Sequence, residues 1–239
     1  MDNALLIFLK YPEAGKVKTR LAKKIGDKKA AKLYRLFVEA TIKRTLDNNG
    51  RYEQLLFYTP VERKSEIESW IGRSVVTPPL QPQIGAELGE RMLNALKTSF
   101  SSGAKKAVII GTDSPIVDKE IIYEAFYLLK ENDVVIGPTI DGGYYLIGTS
   151  LPASDKLFAG IDWGSNEVFE QTIKRLGEEK TSYSLLPLYY DVDTLEDLKR
   201  LKYEISQMDI AKRKSLLDIY TLLEDCFTSP LSPPYEGGD

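Results

Sequence analysis

Short apolar segments alternate with helical segments through the first half of the chain, and this alternation restricts the fold more than any other feature. Residues 5–9 are apolar at every position, which is typical of a strand buried on both faces of a parallel sheet. Similar short runs occupy residues 54–59, 107–111 and 133–137. Because apolar residues recur at helical spacing between them, we predict an α/β fold with a mostly parallel central sheet and helices on both faces.

The connecting segments predict the remaining elements. Apolar residues recur at helical spacing over 28–48, 88–100 and 118–131 and from Leu195 onward. A further helix is expected after Pro60, running through Trp70. Residues 74–77 are a candidate for another short strand, and Pro78, Pro79 and Pro82 predict an irregular loop.

The C-terminal part contains a predicted helix and a predicted tail. The helix, around Leu216, Leu217, Tyr220 and Leu223, could pack on its own domain or on a second subunit, so monomer and homodimer both remain open. Its own domain is the more common partner. Residues 228–239 are rich in proline, glycine and serine, which predicts a disordered tail after a single domain spanning residues 1–227.

Composition restricts the chemistry and the partners. A net charge of −3 argues against a general nucleic-acid or anionic-membrane surface. No run is long enough to insert into a membrane and no signal peptide is recognisable, so a cytoplasmic protein is expected. There is no histidine, and Cys226 is the single cysteine. Histidine-dependent nucleophiles and zinc sites are therefore excluded, and oxygen-ligated Mg²⁺ or Mn²⁺ is the expected metal.

A basic loop follows the first predicted strand. Pro12 and Gly15 shape the turn, and Lys16, Lys18 and Arg20 follow at alternate positions. In an extended segment these three cations would point the same way and form an anion clamp. A solvated basic loop beside a helix start is the alternative interpretation.

Aspartates follow two later strands of the predicted sheet. Asp113 in GTDSP comes directly after residues 107–111, where ligand sites of open α/β sheets lie, and is a candidate metal ligand. It could instead cap the following turn. Asp141 precedes Gly142 and Gly143, which would allow close backbone approach to a ligand or form a tight hairpin.

A pair of carboxylates precedes the helix that begins near Leu195. Asp191 and Asp193 alternate, which places both on one side of an extended segment and suggests a metal-binding edge. Thr194 and Asp197 form a capping-box pattern, so one of the two aspartates could merely favour the helix N-terminus. Together, the basic loop and these aspartates predict a site for nucleotide phosphates bridged by a divalent metal.

Six ordered motifs carry a family resemblance: KYPEAGKVKTRLA, QIGAELGERM, GTDSP, GPTIDGGYYLIG, DWGSNEV and DVDTLEDL. The set, over residues 4–202, resembles the uncharacterised glycosyltransferase-A-like (DUF2064-type) family of the nucleotide-diphospho-sugar transferase superfamily. Nucleotidyltransferases of coenzyme F420 precursors and the molybdenum-cofactor guanylyltransferase are related to it. The resemblance implies a Rossmann-like three-layer α/β/α sandwich, with a nucleotide pocket in the N-terminal half and an acceptor pocket in the C-terminal half.

The resemblance also implies roles for individual residues. The phosphate loop would comprise Lys10, Gly15, Lys18 and Arg20. The metal ligands would be Asp113 and Asp193. The segment beside the nucleotide would contain Gln83, Gly85, Gly89 and Arg91. The acceptor side would comprise Asp141, Gly142, Gly143, Tyr144, Trp163 and Ser165. Where this family usually has serine and then threonine after the tryptophan, this chain has Gly164 and Ser165.

Three functions remain open at this stage. In nucleotidyl transfer, a small-molecule acceptor attacks the α-phosphate of a nucleoside triphosphate, and Lys18 and Arg20 neutralise the leaving pyrophosphate. In glycosyl transfer, the donor is a nucleotide sugar and Asp141 deprotonates the acceptor hydroxyl. Asp113 would hold the metal in both reactions. The third function is nucleotide binding without turnover.

Overall fold

The computed structural model describes residues 2–72, 78–150 and 156–228. Its strands are β1 (Asn3–Lys10), β2 (Glu53–Thr59), β3 (Leu80–Pro82), β4 (Lys106–Ile110), β5 (Val134–Pro138), β6 (Tyr144–Thr149) and β7 (Tyr183–Leu185). The first five helices are α1 (Thr19–Ile25), α2 (Asp27–Arg44), α3 (Lys64–Ile71), α4 (Leu88–Ser101) and α5 (Lys119–Leu128). The others are α6 (Val168–Glu178), α7 (Leu195–Gln207), α8 (Ile210–Lys214) and α9 (Leu217–Thr228).

All seven strands belong to one sheet, in the order β3-β2-β1-β4-β6-β5-β7. Strand β6 runs antiparallel to β4 and β5, and the other strand pairs are parallel. The predicted mostly parallel sheet is thus confirmed. Because β1 and β4 are parallel neighbours, the loops after them open at the same edge of the sheet.

Helices cover both faces of the sheet, which explains why the strands show no polar alternation. Alternate residues of β1, such as Leu5 and Ile7, face a core shared with α2, α3 and α5. The intervening residues Leu6 and Phe8 face a second core shared with α4 and α6. Each β1 side chain between residues 4 and 9 is therefore buried, and the three-layer α/β/α architecture is confirmed.

Helix α2 has two apolar faces. Tyr34 and Val38 contact the sheet-side core. Leu33 and Phe37 instead belong to a third core, which contains buried residues of α7 and α9 such as Leu223. The C-terminal helix therefore packs on its own chain, over the outer face of α2, as its apolar pattern favoured.

Several elements differ from the sequence prediction. The irregular loop expected from the prolines contains a short strand, because residues of β3 pair with Leu56–Tyr58 of β2. Strand β7 and helices α6 and α8 were not predicted, and β6 and α1 were implied only by the alternative interpretations of the Gly142–Gly143 turn and of the basic loop. The predicted strand at 74–77 and the predicted tail beyond residue 228 lie outside the described residues. No helix in the described part of the chain has the length and apolar character needed to cross a bilayer.

Candidate functional site

A cavity of about 280 Å³ opens where β1, β2 and β4 end. Four residues that the sequence assigned to the site line it: Lys10, Gln83, Asp113 and Tyr144. Asp191 is also in its wall. Residues without an assigned role complete the polar lining, namely Tyr34, Thr59, Thr112 and Ser114. The lining also contains apolar side chains, among them Phe8, Leu88, Met92 and Ile147. The cavity thus combines apolar lining residues with a group of polar ones, as small-molecule sites do.

Lys18 lies beside this cavity and connects two of the predicted metal ligands. Its Nζ forms ion pairs with Oδ1 of Asp113 and with Oδ1 of Asp193, the latter at 2.9 Å. The lysine side chain is only 3% exposed, whereas those of Asp113 and Asp193 are 44% and 38% exposed. Its ammonium group lies 5.7 Å from the centre of the Phe37 ring. Lys18 thus reaches the two carboxylates from the protein interior.

The charge of Lys18 is maintained by its partners. Burial by itself would lower the pKa of this ammonium group, but attraction and hydrogen bonding by Asp113 and Asp193 outweigh burial and raise the pKa above its usual value. Lys18 is therefore a permanent cation in this structure.

Asp191 adds a third carboxylate to the same place. Ser114 Oγ lies 2.8 Å from Asp191 Oδ1 and 2.7 Å from the carbonyl oxygen of Tyr190, to either of which it can donate its proton. Burial, followed by repulsion from Asp113, raises the pKa of Asp191 to about 7. The carboxylates of Asp113 and Asp193 together carry more negative charge than the single ammonium group of Lys18 compensates.

Tyr34 joins the ends of β1 and β4 at the cavity wall. Its hydroxyl oxygen accepts a hydrogen bond from the Lys10 backbone N–H at 2.9 Å and lies 3.2 Å from Thr112 Oγ1. Burial, with a contribution from the negative charge of Asp113, raises the pKa of Tyr34 to about 12. Sequence analysis missed this residue. The available signal was a tyrosine on the apolar face of a predicted helix, because a buried tyrosine hydroxyl requires a partner.

The expected anion clamp of three cations on one face is wrong. Gly15 has φ 79° and Lys18 has φ 48°, so the loop turns rather than extends, and α1 begins at Thr19. Lys16 points to solvent and pairs with Glu13 at 3.1 Å. Arg20 is exposed on α1. Only Lys18 turns inward.

Lys10 remains exposed at the cavity, at the end of β1. Its Nζ donates to the carbonyl oxygen of Lys16 at 2.9 Å. This bond holds the lysine over the loop that follows β1.

In the segment predicted to lie beside the nucleotide, polar side chains form hydrogen bonds with backbone carbonyls of the protein. Gln83 Nε2 donates to the carbonyl oxygens of Leu9 and Phe57 at 3.2 and 2.9 Å, which ties together the ends of β1 and β2. The Arg91 guanidinium donates to the Gly85 carbonyl at 2.9 Å. Gln83 therefore lines the cavity with its amide nitrogen already engaged, and Arg91 stabilises the loop before α4.

The predicted acceptor loop is the tip of the β5–β6 hairpin. Asp141 Oδ1 accepts from Thr139 Oγ1 at 2.6 Å and from the Gly143 N–H at 3.3 Å, which closes the turn. Gly142 has φ 89°, and a Cβ there would clash with the carbonyl oxygen of Asn166. The close approach that this glycine permits is to the chain itself.

Gly89 and Trp163 belong to one packing arrangement. A Cβ at Gly89 would lie 2.6 Å from the Trp163 indole, so the glycine makes room for this ring. Trp163 also contacts the edge of Tyr144, with ring centres 6.3 Å apart. Ser165 Oγ donates to the Asp162 carbonyl at 2.9 Å, near the start of α6. Trp163 therefore packs against Tyr144, which lines the cavity.

The carboxylates provide the donor type that Mg²⁺ and Mn²⁺ prefer. Asp113 and Asp193 each use Oδ1 to hold Lys18, and their side chains are partly exposed. Within residues 2–72, 78–150 and 156–228, no three His, Cys, Asp or Glu side chains surround one metal position. The residues present fit a divalent cation in charge and donor type, with the Lys18 ammonium in contact with the same oxygens.

Comparison with known proteins agrees with this architecture. The family model described as "Uncharacterized protein conserved in bacteria (DUF2064)" matches residues 41–165. The chain belongs to this family. A search of curated proteins finds no match. The family membership confirms the resemblance deduced from the six motifs.

Solved structures give the same fold. A proposed nucleotide-diphospho-sugar transferase from Desulfovibrio desulfuricans G20 is 32% identical, with a TM-score of 0.83 over 95% of this chain and 99% of that one. A cytidylyltransferase from Leptospira borgpetersenii serovar Hardjo-bovis is 18% identical, with a TM-score of 0.58 and 94% of each chain covered. A 4-diphosphocytidyl-2C-methyl-D-erythritol synthase from Anaerococcus prevotii is 10% identical, with a TM-score of 0.56 over 86% of this chain and 96% of that one. The fold is that of nucleotide-using transferases.

Proposed function

We propose that this protein is a transferase that uses a nucleotide donor and a divalent metal, Mg²⁺ or Mn²⁺, and acts on a small-molecule acceptor. Nucleotidyl transfer from a nucleoside triphosphate is the reaction we favour. The observation that carries the proposal is the cavity at the carboxyl end of the parallel strands, where Asp113 and Asp191 lie beside Lys10. The 32% identical relative, described as a proposed nucleotide-diphospho-sugar transferase, supports a nucleotide as the donor.

Asp113 and Asp193 are the residues we assign to the metal. Their carboxylates already hold a positive group, and both side chains are open enough to accept a ligand from the solvent side. When bound there, a divalent cation would offset the negative charge of the donor phosphates. The remaining steps depend on the protein's own residues.

Charge and positioning supply the rest of the proposed catalysis. The acceptor oxygen forms a bond to the α-phosphorus, the bond from this phosphorus to the bridging oxygen breaks, and pyrophosphate leaves with that electron pair. Lys18 and Arg20 are the cations proposed to stabilise the leaving group, with Lys10 at the cavity. A phosphate acceptor is already ionised and needs no general base, which suits a chain without histidine.

Glycosyl transfer is the second candidate. It is favoured by the relative from Desulfovibrio desulfuricans, which is described as a proposed nucleotide-diphospho-sugar transferase. Here the acceptor hydroxyl forms a bond to the sugar carbon, a nucleoside diphosphate leaves, and Asp141 accepts the hydroxyl proton. Asp141 uses Oδ1 in the hairpin turn, and Oδ2 is the oxygen we assign to this role. The acceptor side would comprise Gly142, Gly143, Tyr144, Trp163 and Ser165.

A thermal-shift screen tests the proposal. The purified protein is heated with nucleoside triphosphates and with nucleotide sugars, each with and without Mg²⁺ or Mn²⁺, because a ligand that binds the folded state raises the melting temperature. A metal-dependent shift with one triphosphate is the expected result. A shift with nucleotide sugars alone would favour glycosyl transfer, and no shift across the panel would contradict nucleotide use.

The choice between the two reactions can be tested on α1. Arg20→Gln should weaken the binding of a triphosphate more than the binding of a nucleotide sugar, because the terminal phosphates carry the additional negative charge. Lys23→Gln is a matched control, since Lys23 is another exposed cation of the same helix. Isothermal titration calorimetry measures both affinities. Equal losses for the two ligands would argue for glycosyl transfer.

A further inference from the structure

We propose that Lys18 is an internal competitor of the divalent cation, so that Asp113 and Asp193 hold either its ammonium group or the metal. The inference rests on the proposed function, because it presupposes a metal-dependent site. It adds a conformational device: the chain itself carries the cation that occupies the metal ligands when no metal is bound.

The contacts show that the two cations require the same atoms. Lys18 Nζ binds Oδ1 of Asp113 and Oδ1 of Asp193 simultaneously. The lysine side chain is 3% exposed, so the ammonium group approaches from within the protein. A second cation at these oxygens would lie beside it in a partly buried environment, where repulsion between like charges is strong. Full occupancy by both is therefore unfavourable.

The backbone of Lys18 favours release of the side chain. Lys18 has φ 48° and ψ 45°, the left-handed conformation, directly before α1 begins. A non-glycine residue adopts this conformation at a cost, which is offset here by the two ion pairs. When the carboxylates bind another cation, this compensation is lost and the loop residue can return to an ordinary conformation.

The charge balance favours exchange as well. Lys18 is one positive group against the two carboxylates of Asp113 and Asp193, so the cluster keeps excess negative charge. Among the described residues that line the cavity, Lys10 is the single lysine or arginine. A released Lys18 would therefore add positive charge beside the cavity. Metal binding and the binding of an anionic nucleotide would thus support each other, while Lys18 lowers the affinity for metal alone.

Mn²⁺ binding to a Lys18→Met variant tests this competition. The electron paramagnetic resonance signal of free Mn²⁺ measures metal affinity without any turnover. We expect the variant to bind Mn²⁺ about tenfold more tightly than the wild type, because a nearby positive charge has been removed. The variant should also bind triphosphate with Mn²⁺ more weakly. Lys16→Met is the matched control, because Lys16 lies in the same loop but is exposed and pairs with Glu13, and its Mn²⁺ affinity should equal that of the wild type.

A second measurement uses the wild-type protein and does not depend on how the variant folds. Reductive methylation followed by peptide mass spectrometry reports the accessibility of each lysine. Lys18 should be protected without metal and become reactive when Mn²⁺ is added. Lys16 lies two residues away and is already exposed, so its reactivity should stay constant and serve as the internal reference.

The outcomes separate this inference from the proposed function. If wild-type protein binds Mn²⁺ but Lys18→Met binds it equally or more weakly, or Lys18 stays protected in its presence, competition is disproved and metal dependence stands. If Mn²⁺ binds to neither the wild type nor the variants, metal dependence itself fails and the inference fails with it. Tighter binding by Lys18→Met together with metal-induced labelling of Lys18 supports competition.

Discussion

Lys18 and Arg44 are both buried cations, and both contact the chain segment that follows β4, yet their surroundings differ. Lys18 is held by two partly exposed carboxylates. Arg44, at the end of α2, donates mainly to backbone carbonyls and is joined by Asp118 at 3.5 Å. Burial lowers the pKa of Arg44, whereas the attraction of two carboxylates raises that of Lys18.

The difference separates a structural cation from an exchangeable one. The Arg44 guanidinium donates to the carbonyl oxygens of Ile116 and Val117, at 3.0 and 3.3 Å. It also donates to the carbonyl oxygen of Lys212 and to Ser215 Oγ, near the C-terminal helix. No other cation could reproduce these directed bonds. The partners of Lys18 are two partly exposed carboxylates, which accept its hydrogen bonds but can also bind another cation, because carboxylate oxygens are ligands of divalent metals. Four substitutions test this contrast, in order of decreasing effect on stability.

Arg44→Met should produce the largest loss. The free energy of unfolding should fall by about 3–5 kcal/mol, because several buried carbonyls and Asp118 lose their partner. Urea denaturation followed by circular dichroism measures the change. The neighbouring Lys43 is exposed, so Lys43→Met should leave the urea concentration at the unfolding midpoint unchanged. A loss of similar size in both variants would show that the buried hydrogen bonds of Arg44 do not account for the loss of stability.

Tyr34→Phe should have an intermediate effect. It keeps the ring but leaves the Lys10 N–H and Thr112 without the phenolic oxygen, which should lower the free energy of unfolding by about 1–2 kcal/mol. Urea denaturation followed by circular dichroism measures this change as well. Tyr203 is 67% exposed, and Tyr203→Phe serves as the control. Equal midpoints for the two variants would mean that the Tyr34 hydroxyl does not connect β1 to β4.

Asp113→Asn should alter stability by less than about 1 kcal/mol, because Lys18 keeps Asp193 and a crowded negative charge is removed. The same substitution should abolish the metal-dependent thermal shift with nucleotide. Asp2→Asn changes an exposed aspartate paired with Lys105 and should preserve the shift. If Asp113→Asn retains the metal-dependent shift, Asp113 does not hold the metal.

Lys16→Met should have the smallest effect, within about 0.5 kcal/mol of the wild-type free energy of unfolding, because exposed ion pairs contribute little. Its partner Glu13 and the lysine are both accessible to solvent. Differential scanning calorimetry provides the comparison with Lys18→Met. A stability loss in Lys16→Met as large as that in Lys18→Met would remove the distinction between the two loop lysines.

The elements that the sequence predicted correctly are those whose pattern is local. Residues 5–9 are apolar because β1 is covered on both faces, and Asp113 could be placed because the loops after β1 and β4 open at one edge. The three residues of β7 are too few to show a periodic pattern, and Tyr183 and Leu185 are exposed. Helix α6 does carry buried residues at a spacing of four, Val168, Thr172 and Leu176, and this signal could have been recognised.

The orientation of site residues could not be predicted in the same way. Lys18 turns inward because of Asp193, which lies 175 positions away in sequence, and no local pattern encodes such a contact. In the sequence interpretation, Gly89 lies beside the nucleotide and two roles remain open for Gly142, a close approach to a ligand or a tight hairpin. In the structure the neighbours are Trp163 and Asn166 of the same chain. A glycine indicates a close approach, but only the tertiary structure shows what approaches.

The two apolar faces of α2 have a consequence for protein synthesis. The outer face, with Leu33 and Phe37, is covered by residues of α7 and α9, which the ribosome makes after the described strands of the sheet. Until those helices emerge, a nascent chain with a completed sheet would still present an apolar surface on α2. Such intermediates are prone to aggregation. A chain shortened before Leu216 should therefore accumulate in the insoluble fraction of the expressing cell, even though every strand of the sheet has been made.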